Sequence, residues 1–344
     1  MRVLHFAQLL YGVSDNIGYV MRLADLNEIP DLRWLLRIAG LHQPNDYKYK
    51  FSSDIKVIPQ RMSALTGVAP KKINQMLYRH EQGRTRNWIG NLTVFGQPVL
   101  YHFVQREKPK ICPACLVENN YCRKIWELAF ITVCPHHHCL LIDHCPRCRR
   151  KINWTRPKIN VCSCEFDWRK SEVTMVPSAE QRLTKYLFQN FGLPFQDDQV
   201  SFTPPLNKLG MTDLLNLLFF VAAHYDQIPN HTGIGIAKYS DNETIHRLLF
   251  QALEVFDDWM SGFYDFIREW RKQDKKYFIN CKQLYLSKIA LLRRYSQYEL
   301  LNQILHNIFY EEQFAFLHEA FAKFLETQAD DSSEITSLAD YFSD

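Results

Sequence analysis

Apolar residues recur at helical spacing near the start of the chain and again through most of its second half. Over residues 14–27, Ile17, Val20, Met21 and Ala24 fall on one face, and Ser14 or Asp15 is placed to cap the helix. Gly18 lies inside it and weakens it by up to ~1 kcal/mol. A second helix is expected over 32–39, ending at Gly40. Further on, Ile58, Met62 and Leu65 form one short apolar face, and Thr66-Gly67-Val68 reads as a turn. Pro70 suits the first position of a following helix, because its fixed φ is already helical. Ile73, Met76 and Leu77 are that helix's inward face. The pair predicts a helix-turn-helix with Gly67 in its tight turn. Lys71, Lys72, Asn74, Gln75 and Arg79 then point outward. These types contact phosphates and base edges, although they are also ordinary surface residues of a packing module.

Residues 83–104 change period. Ile89, Leu92, Val94, Phe95, Val99 and Tyr101, set among Gly83, Gly90, Gly96 and Pro98, predict short strands or an extended connection. Arg84 and Arg86 there read as loop residues. From about Ser178 the helical period returns, near 179–191, 211–225, 242–271, 283–308 and 311–328. Leu214, Leu217, Leu218, Val221 and Ala222 make one buried face, and Leu248, Leu249, Leu253 and Phe256 another. Dense aromatics (Phe263, Tyr264, Phe266, Trp270, Tyr277 and Phe278) read as core first. Pro229, Gly233 and Gly235 place a loop over 227–242, and an acidic, flexible tail is expected from Ala329.

Between these parts, nine of the ten cysteines fall between Cys112 and Cys164. Two Cys-Pro-x-Cys pairs stand out, Cys112 with Cys115 and Cys145 with Cys148. Each has a second half downstream: Cys134-Pro-His-His137 for the first, Cys162-Ser-Cys164 for the second. Zinc takes four soft or borderline donors in a tetrahedron, and such pairs supply two at a time. Two structural zinc ions per chain are therefore expected. One is held by Cys112, Cys115, Cys134 and His137, the other by Cys145, Cys148, Cys162 and Cys164. His136, His138 and Cys139 crowd the fourth position of the first set. His137 is preferred because Cys-x-x-His repeats the tight two-ligand grip. Trp126, Leu128, Phe130, Ile131 and Val133 give the intervening loop a small apolar core. Cys122, Cys139 and Cys281 are left without a role, as buried thiols of small size.

The fold class that follows is mainly α. It has a helix-turn-helix domain over 1–104, tandem zinc-binding units over 105–175, an all-helical domain over 176–328 and a tail over 329–344. At 344 residues and 47% hydrophobic content, the chain has ample material for such cores. The net charge of +4 hides a split, with +12 in residues 1–177 and −8 in 178–344. An acidic partner such as DNA or RNA would favour the first half. Arg147, Arg149, Arg150, Lys151, Arg156 and Lys158 cluster around the second cysteine set, near Trp154 and Trp168. The first four are a candidate phosphate-binding group, whereas the tryptophans suit a ribbon's own core. With no export signal and no apolar run long enough to span a membrane, a cytoplasmic, nucleoid-associated protein is expected.

Enzymatic signatures are missing. Four protein ligands close each zinc set, leaving no open position for water. The deaminase His-x-Glu is absent, and His80-Glu81 and His318-Glu319 lack the second histidine of His-Glu-x-x-His. There is no Walker loop and no Gly-x-Ser-x-Gly elbow. No catalytic residue is assigned.

The run from Cys112 through Trp126, Val133-Cys-Pro-x-His137-x-x-x-Leu141 and Cys145-Pro-x-Cys148 resembles the TniQ/TnsD family of transposon target-site selectors. Ser63-Ala64-Leu65-Thr66-Gly67 is similar to that family's helix-turn-helix, and Arg22-Leu23-Ala24 to its first helix. Gly18 and Tyr19 depart from the pattern. The resemblance spans roughly residues 14–170. It implies a non-catalytic adaptor that marks an insertion site and recruits an AAA+ ATPase regulator of the TnsC type, which engages the transposase. Longer TnsD-like members bind an attachment site in target DNA directly. Shorter TniQ-like members associate, often as a dimer, with an RNA-guided Cascade-type CRISPR effector, and this chain's length favours that mode. Two other classes stay open. A zinc-containing helix-turn-helix transcription regulator would bind its own promoter without an ATPase. A zinc-dependent nucleic-acid enzyme would lose turnover with its metal.

Overall fold

A computed structural model of the chain describes residues 16–29, 35, 59–76, 78–80, 91–105, 108–154, 156, 158–195, 199–225, 233–273, 312–317, 319–320 and 323–324. The fold is mainly helical. It divides into two compact units, one of Met1–Val200 with Ile234–Arg247, the other of Ser201–Gly233 with Leu248–Asp344. The candidate chemistry lies in the first.

Helix α1 (Asn16–Leu26) buries Tyr19, Val20, Met21, Leu23 and Ala24. All but Met21 pack with Leu35, with Met62, Leu65, Ile73 and Met76 of the next two helices, and with Val68 between those helices. Leu35 alone of the expected 32–39 helix is described, and it is helical; the rest lies outside the described residues. Helices α2 (Pro59–Thr66) and α3 (Pro70–Met76) follow, joined by Gly67-Val68-Ala69. Gly67 takes φ +71, a left-handed angle that an L side chain resists, and its N–H closes α2 on the Ser63 carbonyl at 2.8 Å. Thr66 bonds back to the Met62 carbonyl at 2.7 Å and accepts from the Val68 N–H.

The chain then turns to strand. β1 (Arg79–His80), β2 (Asn91–Val94) and β3 (Gln97–Leu100) form an antiparallel sheet in that order. One correction follows. Arg79 pairs with Thr93 in β1 and is not on α3, which has already ended at Met76. Residues 81–90, with Ile89, Arg84 and Arg86, lie outside the described residues.

Helix α4 (Pro113–Asn119) and the hairpin of β4 (Val133–Cys134) and β5 (Cys139–Leu140) carry the first cysteine set. Between them Trp126, Leu128, Phe130, Ile131 and Val133 are all buried, as their pattern required. Helix α5 (Arg182–Asn190) follows a 3-10 turn at Ser178–Gln181. In the second unit, α6 (Met211–Tyr225) buries Leu214, Leu217, Leu218, Val221 and Ala222.

Two expectations fail here. The 227–242 loop contains a helix, α7 (Gly233–Tyr239), because Ile236 and Ala237 are fully buried and their packing outweighs the glycines' cost. The single helix over 242–271 is two, α8 (Asn242–Asp257) and α9 (Ser261–Gln273). Met260 takes φ 77 at the break, and a Cβ on Gly262 would sit 2.6 Å from the Val255 carbonyl oxygen. The expected 283–308 helix and the tail lie outside the described residues. Of 311–328, a 3-10 turn at Glu312–Phe314 and a few helical positions are described. Among the described residues, no helix is long and apolar enough to cross a membrane.

Candidate metal centres and nucleic-acid faces

The first centre is built on two rigid pieces. Cys112 caps α4, its sulfur accepting the Cys115 N–H at 3.4 Å, and Pro113 fills the first helical position. Cys134 ends β4 opposite Cys139, and His137 stands on the hairpin turn, which His138 closes at φ 51. The four donor atoms of Cys112, Cys115, Cys134 and His137 lie within 4.8 Å of one another. Cys115 and Cys134 sulfurs are 3.6 Å apart, and His137 Nδ1 is 3.5, 3.3 and 3.6 Å from Cys112, Cys115 and Cys134. A tetrahedral zinc ion sets sulfurs about 3.8 Å apart and sulfur–nitrogen pairs about 3.6 Å apart. The residues therefore fit that ion.

Nδ1 faces the cluster because Nε2 is engaged elsewhere, 2.9 Å from Glu118 Oε1 on α4. A carboxylate behind a ligating imidazole fixes its tautomer and its orientation. The Cys134 sulfur and then Glu118 raise the imidazole's pKa to about 9 despite burial. Contact with Cys115 and the other sulfurs pushes the Cys112 thiol up, while contact with Cys112 pulls Cys134 down. Crowded sulfurs share too few protons and too much charge among themselves. A divalent ion here would be held by Cys112, Cys115 and Cys134 as thiolates and by neutral His137.

Two of the neighbouring candidates have partners elsewhere. His138 Nδ1 is 2.8 Å from Gln181 Oε1, and the His136 ring packs edge-on against Phe188. Cys139 lies 3.6 Å from the Cys112 sulfur but outside the set of four.

The second centre joins two loops. Cys145 and Cys148 lie on a turn closed by Arg149 N–H to the Cys145 carbonyl and by Cys145 N–H to the Arg150 carbonyl. Cys162 and Cys164 lie on another, closed by Glu165 N–H to the Cys162 carbonyl. Arg149 (φ 60) and Glu165 (φ 66) are both left-handed, a strain of about 1–2 kcal/mol each that the closed turns sustain. The four sulfurs again lie within 4.8 Å of one another, with Cys145–Cys164 and Cys148–Cys162 at 3.7 Å. Hydrogen bonding from Arg150 and the backbone lowers Cys148 to about 6, whereas burial pushes Cys162 up to about 12.

The basic residues nearby divide by role. Arg156 is buried. It stacks on Trp154 (4.6 Å) and Trp168 (5.2 Å) and donates to the Ile159 and Asn153 carbonyls and to Cys122. It is a strut of the ribbon's core, and Cys122 is its acceptor. Arg147 donates to the Cys164 carbonyl at 3.3 Å, joining the two loops, and Arg150 neutralises Cys148. Lys151 faces Asp241 electrostatically. Arg149 is exposed. On α3, Lys71, Lys72 and Gln75 are exposed and Asn74 half-buried.

Buried Lys110, Lys124 and Asn242 and half-buried His246 escaped the sequence. Lys110 is fully buried, donates to the Leu128 and Ala129 carbonyls, and has its pKa lowered by burial to about 7. Lys124 is buried against α3. His246 Nδ1 lies 3.0 Å from Thr132 Oγ1 and its Nε2 3.1 Å from Glu180, while Asn242 donates to the Thr132 and Leu141 carbonyls. The hydroxyl–imidazole–carboxylate order is that of a nucleophile relay, but Thr132 is 4% exposed, out of a substrate's reach. The network ties the start of α8 to the first centre. No sequence signal marks these groups beyond residue type, since each depends on what the fold packs around it.

Fold and site together give a mainly helical protein with two four-residue clusters, each of which could hold a metal ion. Residues 17–141 match the family model described as TniQ, a span from α1 through the whole of the first centre, and this match supports membership of the TniQ family. TniQ proteins are non-catalytic transposition adaptors, and the match implies a transposition-associated role in target-site selection or DNA binding. No curated protein matches the chain.

Proposed function

We propose that this chain is a target-selection adaptor of a Tn-seven-like transposon. In this reading it links an RNA-guided Cascade-type complex to the AAA+ ATPase regulator and transposase. The observation that carries it is the TniQ match over residues 17–141, which contains both α2–α3 and the first metal centre. The α2–α3 pair acts as a helix-turn-helix that presents Lys71, Lys72 and Gln75, and two structural zinc ions hold the segment that follows. The exposed α3 face also supports a second reading, direct recognition of an attachment-site duplex in the TnsD manner.

A paired assay separates them. The purified chain is offered guide-loaded Cascade in one arm and candidate duplex over a salt series in the other. Stable co-elution with Cascade supports the first reading. Sequence-specific, salt-dependent duplex binding without Cascade moves the protein to the second. Binding in neither arm sinks both.

A further inference from the structure

The metal-bearing segment reaches back to α3 through one side chain. Lys124 lies in a 3-10 turn (Lys124–Glu127) between the two halves of the first centre and is 2% exposed. Its Nζ donates to the Gln75 carbonyl at 3.1 Å. Gln75 is in the last turn of α3, where carbonyls have no partner within the helix and a cation is favoured. The ammonium also sits 4.6 Å from the Tyr78 ring centroid and 5.2 Å from that of Phe95, at the tip of the β2–β3 hairpin. Tyr78 returns the bond, its hydroxyl donating to the Lys124 carbonyl at 3.2 Å. A buried ammonium without such partners would carry a heavy desolvation cost. Here it takes a helix end, a strand-pair tip and two aromatic faces as its surroundings.

We propose that Lys124 is a positioning residue. It locks the C-terminal end of α3 to the first metal unit, so that the unit's folding sets how Lys71, Lys72 and Gln75 are presented. α3 has only seven residues, too short to hold an orientation on its own helical stability. In naming what α3 is positioned for, the proposal rests on the proposed function; the lock itself does not.

The test is amide hydrogen exchange on the full-length, metal-loaded chain. Lys124→Met keeps the stem and removes the ammonium. Exchange across 70–76 is expected to rise roughly tenfold to hundredfold, as for the loss of one charge-assisted hydrogen bond. Two metal ions per chain should remain, and Lys124→Arg should restore much of the protection. Tyr78→Phe, which removes only the returning hydroxyl, gives a smaller rise and serves if Lys124→Met does not fold. Unchanged exchange over 70–76 in the folded variants overturns the proposal. So does loss of a metal ion from Tyr78→Phe, since the contact would then belong to the metal unit's own stability. Target binding on the same samples tests the function separately. Faster exchange with unaltered binding leaves the lock standing and removes α3 from the contact surface.

Discussion

The two candidate metal centres, one of three cysteines and a histidine and the other of four cysteines, differ most in what surrounds them. In the first, the three cysteines are wholly buried, a helix N-terminus supplies two of them, and an apolar core fills the loop between the halves. In the second, Cys148 and Cys164 are partly exposed, both halves are turns, and arginines brace the sulfurs from outside. The first lies inside the TniQ match and the second beyond its end at residue 141. One centre is thus built into a hydrophobic core, and the other stands on two turns at the edge of the smaller core around Trp154, Arg156 and Trp168. Loss of metal should have correspondingly different reach.

That difference predicts the largest effect. Cys134→Ser should drop metal content from two ions to one and abolish cooperative folding of the first unit. A structural zinc can supply ~10–16 kcal/mol in small peptides, which matches or exceeds the whole stability of a typical domain. Cys164→Ser should also lose one ion while keeping a native-like helical signal. Metal analysis with thermal melts by circular dichroism checks both, and equal damage from the two variants would refute the contrast.

Glu118→Gln comes next. It keeps a partner for His137 Nε2 but removes the charge, and such outer partners are worth 10–100-fold in metal affinity. Chelator competition should show weaker binding at the first centre alone. An unchanged affinity would mean that the hairpin by itself fixes the imidazole.

Proton linkage separates the surroundings further. Burial lowers the pKa of His246, whose neutral ring bridges Thr132 and Glu180, against the ordinary value of about 6.5. The folded state therefore resists a proton that the unfolded state accepts. The histidine's contribution is fully present above pH ~6.5 and is lost as pH falls through the lower folded value. In melts between pH 8 and 5, His246→Gln should flatten part of the acid-side decline. A variant with the parent's slope would show that the network does not carry it.

What the sequence made legible was what short-range geometry decides. Cys-x-x-Cys spacing can be read without a fold, because a turn of four residues alone aims both sulfurs. The α6 boundaries were legible for the same reason, a long uninterrupted apolar period. The break between α8 and α9 was not, because Phe256, Phe263 and Phe266 keep the helical rhythm on either side of it. Trp259 bridges the break, stacked on Phe256 at 5.7 Å and tilted against Phe263 at 5.3 Å. Arg79 was assigned to the wrong element because nothing in 70–79 announces where α3 stops; its strand partner lies at Thr93. Arg156 read as one more surface cation among six. Only the tertiary placement of Trp154 and Trp168 made it core. The same holds for Lys110 and Lys124, whose partners are backbone carbonyls that no residue type reveals.

The smallest effect divides the arginines of the second centre. Arg147 and Arg150 are occupied, one by the Cys164 carbonyl and the other by Cys148, so part of the local positive charge offsets the charge of the thiolates. Arg149, between them, is exposed on a left-handed turn residue. If this face meets a phosphate backbone, Arg149→Ala should weaken nucleic-acid binding uniformly across sequences and lower the salt slope by about 1, with metal content unchanged. Arg150→Ala should instead speed metal release to a chelator, because Cys148 loses the hydrogen bond that holds it toward the thiolate. The reverse pattern, faster release from the Arg149 variant and a changed salt slope only in the Arg150 variant, would mean that the bracing and the binding roles are exchanged. If neither variant alters the salt slope, the cations around the second centre serve its sulfurs alone, and α3 is left as the nucleic-acid face.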